Sequence, residues 1–188
     1  LISVLLLQAV SDGSTLTYYL GGWVPPIGIE YRIDAANAIL LFLISMISAI
    51  VLIFSYSSLH AEIPEEKHTL FYSCFLLCLT GLLGVVATAD IFNVFVFLEI
   101  SSLSTYVLVA QGAYLDRRAL SASFNYLIMG TIGATFFVIG IGYIYMATGS
   151  LNMMDIAERV NQLSDNRTIQ AGFAFIVVGM GLKLAMVP

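Results

Sequence analysis

Apolar residues in this chain run in long blocks separated by short polar breaks, and block length decides the architecture. Five blocks approach the ~20 residues that a helix needs to cross ~30 Å of hydrocarbon: Ala35–Tyr56, Thr69–Ala89, Ile91–Ala110, Ser121–Ala147 and Thr168–Val187. Residues 1–10, "LISVLLLQAV", read as the end of an earlier span. A lone strand in lipid leaves its backbone groups unpaired, so every block is predicted helical. The pattern predicts an all-α, polytopic transmembrane helix bundle.

The breaks carry their own signals. Residues 11–34, "SDGSTLTYYLGGWVPPIGIEYRID", set Gly21-Gly22 and Pro25-Pro26 between two aromatic, β-prone patches. That predicts a hairpin-like loop at the membrane interface, with Trp23 and Tyr31 as belt aromatics. Asp34 is placed to cap the following helix. Between 148 and 167, Asn152 and Asp155 have capping-box spacing. Leu151, Met154, Ala157 and Val160 then recur every three residues, which predicts an amphipathic helix at about 151–163 on the membrane surface. Lys67, Arg117 and Arg118 crowd the short loops 57–68 and 111–120, and that density favours a cytoplasmic side for both.

Composition supports the membrane reading and narrows the partners. Of 188 residues, 60% are hydrophobic and 10% charged, against about 25% charged in soluble domains; mean hydropathy is +0.96. The net charge of −5 comes mostly from loop acids. No basic run suggests nucleic acid, and no Lys/Arg cluster marks an anionic-lipid site. Cys74 and Cys78 fall on one helix face, poor geometry for a disulfide, and read as small packing residues. His60 and His68 read as solvated loop residues. No cofactor is expected: haem would need axial histidines within spans, and two cysteines alone cannot hold an iron–sulfur cluster. The chain opens without Met and stops five residues after a lysine, with no polar anchor beyond. It therefore reads as a window on a longer protein.

Within the fourth block, Gly130 and Ala134 form a small-xxx-small pair, and Gly133, Gly140 and Gly142 thin the same helix. Small residues let backbones approach where no hydrophobic force drives association. Asn125 and Thr131 can bond across helices there.

Two charges break the pattern. Glu99 lies near the middle of the third block, where an ionised carboxylate costs about 3 kcal/mol or more. It must be neutral, or be met by a cation or hydrogen-bond donors. Ser102 and Tyr106 share its face at i+3 and i+7, flanked by Ser101 and Thr105, and such a face can order water. Asp90 and Asn93, near the helix entrance, call for no special account. Lys183 lies roughly 22 Å into the last block, bracketed by Gly179, Gly181 and Pro188. That bracket predicts a helix that breaks or bends, freeing carbonyls for an ion or water. Snorkelling to the far interface is the bland alternative for this lysine. By simple counting the two charges differ in depth by ~10 Å, a gap that a helix break would close. Together they suggest a protonatable relay, with a static ion pair fixing helix register as the alternative.

At these residues the chain resembles a known family. "DIFNVFVFLEISSLSTYVLVAQG", "FNYLIMGTIGATFFVIGIGYIYMATGSLNMMDIAERV" and "GLKLAMVP" are similar to antiporter-like membrane subunits: the D-type subunits of Mrp sodium/proton antiporters, and the proton-pumping subunits of complex I and membrane-bound hydrogenases. "GGWVPPIGIEYRID" looks closer to the Mrp and hydrogenase branch. The resemblance spans nearly the whole chain but implies less than half of such a subunit, a larger fold with two inverted five-helix repeats. It implies that Glu99, in "FLEI", pairs with Lys183, in "GLKLA", on a discontinuous helix, with further relay groups beyond Pro188. It also implies an inner cell membrane location, other membrane subunits as partners, and protons and Na+ as cargo.

Three functions are thus set against one another. The first is an ion-translocating subunit, with Glu99 and Lys183 as relay and Ser102, Tyr106 and Asn125 lining a water path. Proton-pumping in an NADH-quinone oxidoreductase or hydrogenase is its close variant, with any redox chemistry in other chains. The second is a redox anchor, disfavoured by the histidine positions. The third is a structural membrane module, in which Glu99→Gln leaves transport unchanged.

Overall fold

The computed structural model describes residues 1–163, 166–184 and 186. Seven helices occur among the described residues: α1 (Ile2–Ala9), α2 (Ala35–Glu62), α3 (His68–Ala87), α4 (Ile91–Gln111), α5 (Arg118–Thr148), α6 (Met153–Gln162) and α7 (Arg167–Lys183). Two strands, β1 (Leu16–Tyr19) and β2 (Glu30–Ile33), pair as a hairpin between α1 and α2. Gly21 and Gly22, at φ 63° and 75°, supply the left-handed backbone in that hairpin, a conformation costly for residues with a Cβ.

Among the described residues, four helices are long and apolar enough to cross a membrane: α2, α3, α4 and α5, with α3 and α4 counted together with their short 3₁₀ extensions. The chain is a multi-pass membrane protein. Many of its large apolar side chains accordingly point outward, Ile53, Phe54, Phe124 and Phe173 among them, where lipid or neighbouring helices would meet them. The fifth apolar block is α7, with 17 residues. That length is ~25 Å, short of the hydrocarbon thickness, and the end predicted for it at Val187 lies outside the described residues.

Helix ends depart from the hydropathy boundaries for identifiable reasons. α2 continues past Tyr56 to Glu62, because polar side chains end an apolar block without ending a helix. α5 starts at Arg118, where the Asp116 carboxylate accepts from the Arg118 N–H at 2.9 Å. α3 stops at Ala87 rather than 89. Residues 88–90 are drawn into extended pairing instead, Thr88 with Tyr31 and Asp90 with Asn152.

Contacts divide the chain into two units: Leu1–Leu16, Ile33–Ala87 and Phe97–Leu127 in the first, and Thr17–Arg32, Thr88–Val96 and Ile128–Pro188 in the second. In the first, Asp34 caps α2 by accepting from the Asn37 N–H at 2.9 Å. The Asn37 Nδ2 group donates to the Val86 carbonyl of α3 at 2.8 Å, and α1 packs on α2. Cys78 and Thr105 join α3 to α4, Sγ to Oγ1 at 3.4 Å. The Thr105 hydroxyl donates to the Ser101 carbonyl, so the thiol is the donor between helices. The histidines of this unit lie on helices rather than in a loop, His60 exposed near the end of α2 and His68 half-buried at the start of α3; His60 Nδ1 meets the Tyr56 carbonyl, His68 Nε2 meets the Ile63 carbonyl, and the rings stand edge-on at 4.9 Å.

In the second unit α5 and α7 run antiparallel with glycine on glycine. A Cβ on Gly140 would lie 2.7 Å from the Gly172 carbonyl oxygen, and one on Gly179 2.7 Å from that of Gly133. The two pairs are seven residues apart on both helices, the repeat that returns a helix to the same face. Gly179 is therefore a packing residue rather than a kink. Gly140→Ala is expected to lower the thermal midpoint of the full-length protein, a loss of about 1–3 kcal/mol from overpacking against backbone. Gly142→Ala, where a Cβ meets nothing within 4 Å, is the matched control and should be neutral.

Candidate functional site

The first unit fixes Glu99 in the middle of α4. That stretch of the helix is held close to α3 by small residues: a Cβ on Gly81 would come 2.7 Å from the Phe97 carbonyl oxygen and from Ser101 Cβ, and Gly84 faces the Phe97 ring. Glu99 and Ser102 are half-buried, and Tyr106 is buried at 5% exposure. A helical tyrosine leans toward the N-terminus over the preceding turn. Its hydroxyl thus reaches the Ser102 hydroxyl, with which it hydrogen-bonds, and lies within electrostatic range of the Glu99 carboxyl. Glu99, Ser102 and Tyr106 form one polar line along α4.

The start of α5 closes this line from the side. Ser123 Oγ donates to the Tyr106 carbonyl at 2.7 Å, and the Tyr126 ring stands edge-on to Tyr106 at 4.8 Å. Ser123 and Tyr126 carry no periodic signal in the sequence, because only the α4–α5 register brings them to Tyr106. Asn125, between them in sequence, is exposed on the outer surface of α5. It stands away from the face that Ser123 presents to α4.

Lys183 belongs to the second unit and is the last residue of α7. The helix runs unbroken through Gly179 and Gly181 and terminates there, instead of bending upstream. The Leu184 N–H returns to the Met180 carbonyl at 2.9 Å, and the Met186 N–H to the Gly181 carbonyl at 3.0 Å. The second of these is the six-to-one bond that commonly closes helices. A Cβ on Gly133 would come 3.3 Å from Lys183 Cγ, so the lysine stem lies along the glycine face of α5. An ammonium in a last helical turn is favoured by the negative end of the helix dipole. Pro188, the remaining member of the predicted bracket, lies outside the described residues.

A second polar cluster, in the second unit, is one that sequence reasoning passed over. Glu30, Asp90 and Asn152 are 6%, 7% and 3% exposed. Asn152 Nδ2 donates to Glu30 Oε2 at 2.8 Å, and Asn152 Oδ1 caps α6 by accepting from the Met154 and Asp155 N–H groups. Backbone bonds stitch the same elements: Ala89 N–H to Glu30 carbonyl, Ile91 N–H to Leu151 carbonyl, Met153 N–H to Ala89 carbonyl. Arg159 of α6 donates to the Thr148 carbonyl that ends α5, at 2.6 Å. This knot seats the first turn of α4 against the hairpin and α6. Asp90 and Asn93 do need an account: Asp90 Oδ1 caps α4 by accepting from the Asn93 N–H at 2.7 Å.

Burial raises the Asp90 pKa above the ordinary aspartate value, with the bonds from Asn93 and Phe92 acting in the opposite direction. A raised folded-state value means that the folded protein binds more protons than the unfolded one between the two pKa values. This contribution to stability is full below the unfolded value and is lost as pH rises through the folded one. Asn can cap as Asp does, so Asp90→Asn should be neutral to stabilising at neutral pH. Thermal midpoints against pH should show wild type falling relative to Asp90→Asn as pH climbs out of the acid range. Parallel curves would remove Asp90 as the titrating group.

Comparison with known proteins places these features. A family profile described as NADH:quinone oxidoreductase/Mrp antiporter, TM, matches residues 88–188. The NADH-quinone oxidoreductase N subunit of Desulforudis audaxviator is 42% identical over 99% of this chain and 36% of its own length. The Na(+)/H(+) antiporter D subunit of Alkalihalophilus pseudofirmus is 29% identical over 100% of this chain and 37% of its own. Among solved structures, the archaeal membrane-bound sulfane sulfur reductase superposes with a TM-score of 0.81 at 36% identity, over 96% of this chain and 36% of that one. The Mrp complex from Dietzia sp. DQ12-45-1b gives 0.78 at 23% identity, over 96% and 33%, a likeness of fold. The chain thus spans about a third of the length of the relatives it matches. With more than half its residues, the knot's Asp90 and Asn152 and the glycine face of α5 and α7 all within the matched region, this chain belongs to the NADH:quinone oxidoreductase/Mrp antiporter transmembrane family.

Proposed function

We propose that this chain is part of a cation/proton-translocating membrane subunit, in which Glu99 and Lys183 form the protonatable pair and Ser102 and Tyr106 extend the path from Glu99. The observation that carries the reading is the polar line on α4: a half-buried glutamate inside a membrane-spanning helix, continued by a hydroxyl and a phenol bonded to each other. An intramembrane ionisable residue is expensive and marks ion pathways. Lys183 adds a second such group, delivered by a helix that ends on it. Brought together, the two would stabilise each other's charged forms, and drawn apart they would favour transfer of the lysine's proton. The whole subunit acts in the inner cell membrane, with other membrane subunits beside it and protons and Na+ as its ions.

Relatives named both as antiporter and as NADH-quinone oxidoreductase subunits match at full or nearly full coverage of this chain, so redox-driven proton pumping is the second reading. Everted vesicles carrying the full-length protein in its assembly separate them. Antiport predicts that adding Na+ collapses a preformed pH gradient with no redox substrate present. Proton movement seen only with a redox donor and acceptor overturns antiport in favour of pumping, and movement in neither condition leaves the structural module.

A further inference from the structure

Residues 112–117 join α4 to α5, and both ends of that connection wall one groove. Ala113 and Tyr114 at its start and Leu120 just beyond its end line an open cavity of about 330 Å³, together with Leu70 of α3 and Val107 of α4. All of these residues belong to the first unit. The apolar surface continues past the cavity. Leu103 lies one turn before Val107 on α4 and Phe124 one turn after Leu120 on α5, positions that share a helix face. These four side chains are 40% to 60% exposed. Ser123 Oγ on the Tyr106 carbonyl holds the two helices together at this level, so the four border one strip leading from the connection into the span. The connection supplies the opposite chemistry. Tyr114, Arg117 and Arg118 are exposed, and α5 begins at Arg118 with the positive end of its dipole. The one acid there, Asp116, accepts from the Arg118 N–H at 2.9 Å. The neighbouring turn Glu65–Lys67 carries two acids to one base, so attraction for an anion falls to the arginines.

We propose that this groove binds an anionic phospholipid, with one acyl chain along Val107, Leu103, Leu120 and Phe124 and the phosphate against Arg117, Arg118 and Tyr114. A hydrocarbon chain matches the strip, and a guanidinium pairs with phosphate oxygens two at a time. Tyrosine is suited to headgroup level, its ring apolar and its hydroxyl wet. A helix from a neighbouring subunit would cover the strip but would not by itself answer the arginines. A headgroup with no net charge would set its own cation beside them. The sequence holds no run of four to eight basic residues of the kind that marks anionic-lipid sites. Two arginines serve here because the groove holds the tail while they hold the phosphate. The site uses neither Glu99 nor Lys183, so it stands or falls independently of the relay.

The test uses the full-length protein in its assembled complex, reconstituted in phosphatidylcholine nanodiscs doped with a photoreactive lipid. Two probes carry the same diazirine in the acyl chain, one on phosphatidylglycerol and one on phosphatidylcholine, at equal mole fraction. Peptide mass spectrometry maps the cross-links. Each basic residue near the surface favours an anionic lipid about fivefold. Phosphatidylglycerol should therefore label residues 103–107 and 120–124 about 25-fold more than phosphatidylcholine does. Arg117→Gln/Arg118→Gln should bring that ratio close to one. At Ile53 and Phe54, exposed on α2, the two probes should label alike. Equal labelling of the groove overturns the proposal, as does an excess that survives the double substitution. Labelling of α2 with none in the groove also overturns it, because a neighbouring subunit then covers the strip. Loop arginines also set topology, so two measurements replace the double variant where it fails to assemble. Raising the salt concentration should shrink the wild-type excess, and Leu120→Trp, which fills the groove and keeps both charges, should remove the labelling at 103–107. An excess that neither changes rejects the site.

Discussion

Glu99→Gln is expected to abolish ion-coupled proton movement in the full-length protein while leaving the subunit assembled at wild-type levels. Glutamine keeps the size of the side chain and its ability to hydrogen-bond, so α4 retains its seat on Gly81, Gly84 and Ser123. What it loses is the capacity to take up and release a proton at mid-membrane. A positioned proton-transfer group is worth about 10²–10⁴ in rate, and a loss of at least about 100-fold is the expected scale. The near-isosteric exchange should leave the thermal midpoint close to that of wild type. Glu99→Asp, which keeps the proton but shortens the reach by one methylene, should retain part of the activity. Transport rates in everted vesicles, set beside complex levels on native gels, make the check. Full activity in Glu99→Gln would leave the carboxyl with a structural role at most.

The order of effects along α4 follows from the same geometry. Tyr106→Phe removes the phenol that bonds Ser102 but keeps the ring that Tyr126 meets edge-on. It changes the chemistry of the line without disturbing the packing around it. The Ser123 bond goes to the Tyr106 backbone carbonyl and survives that substitution. Packing and the proposed proton path can thus be varied separately at one residue.

How much of this was legible in the sequence depends on the kind of force involved. The spanning helices were legible because lipid imposes one rule on every residue of a span, and apolar blocks report it directly. Glu99 was legible for the same reason, as an exception to that rule. The end of α2 at Glu62 was not, because hydropathy measures solvent preference and helices continue in water. Nor was the role of Gly179, which looked like a kink beside Lys183 and serves as a contact for Gly133 and Phe137. A glycine's sequence neighbours do not reveal whether its missing side chain is used for bending or for close approach. Glu30 was the least legible of all. Its partner Asn152 is 122 positions away, and in the strand EYRI the sequence shows a polar residue with no sign that it is the buried one.

That distant pair is where stability should be most sensitive. Asn152→Leu removes the amide that donates to Glu30 and the oxygen that caps α6 in one step. An orphaned buried acceptor and a lost cap together cost about 2–5 kcal/mol, a large share of the margin by which domains stay folded. Asn152→Ser separates the two parts, because serine can still cap the helix but is too short to reach Glu30, and it should fall between wild type and Asn152→Leu. Adding Glu30→Met to Asn152→Leu should recover part of the loss, since apolar groups of similar shape on both sides leave nothing unsatisfied. Residues in one hydrogen-bonded network are coupled, and their substitutions then fail to add. Thermal midpoints of wild type, the two single variants Asn152→Leu and Glu30→Met, and the double variant measure that coupling. Strict additivity would mean that the 2.8 Å bond between Asn152 and Glu30 contributes nothing, and that the knot is held by its backbone bonds alone.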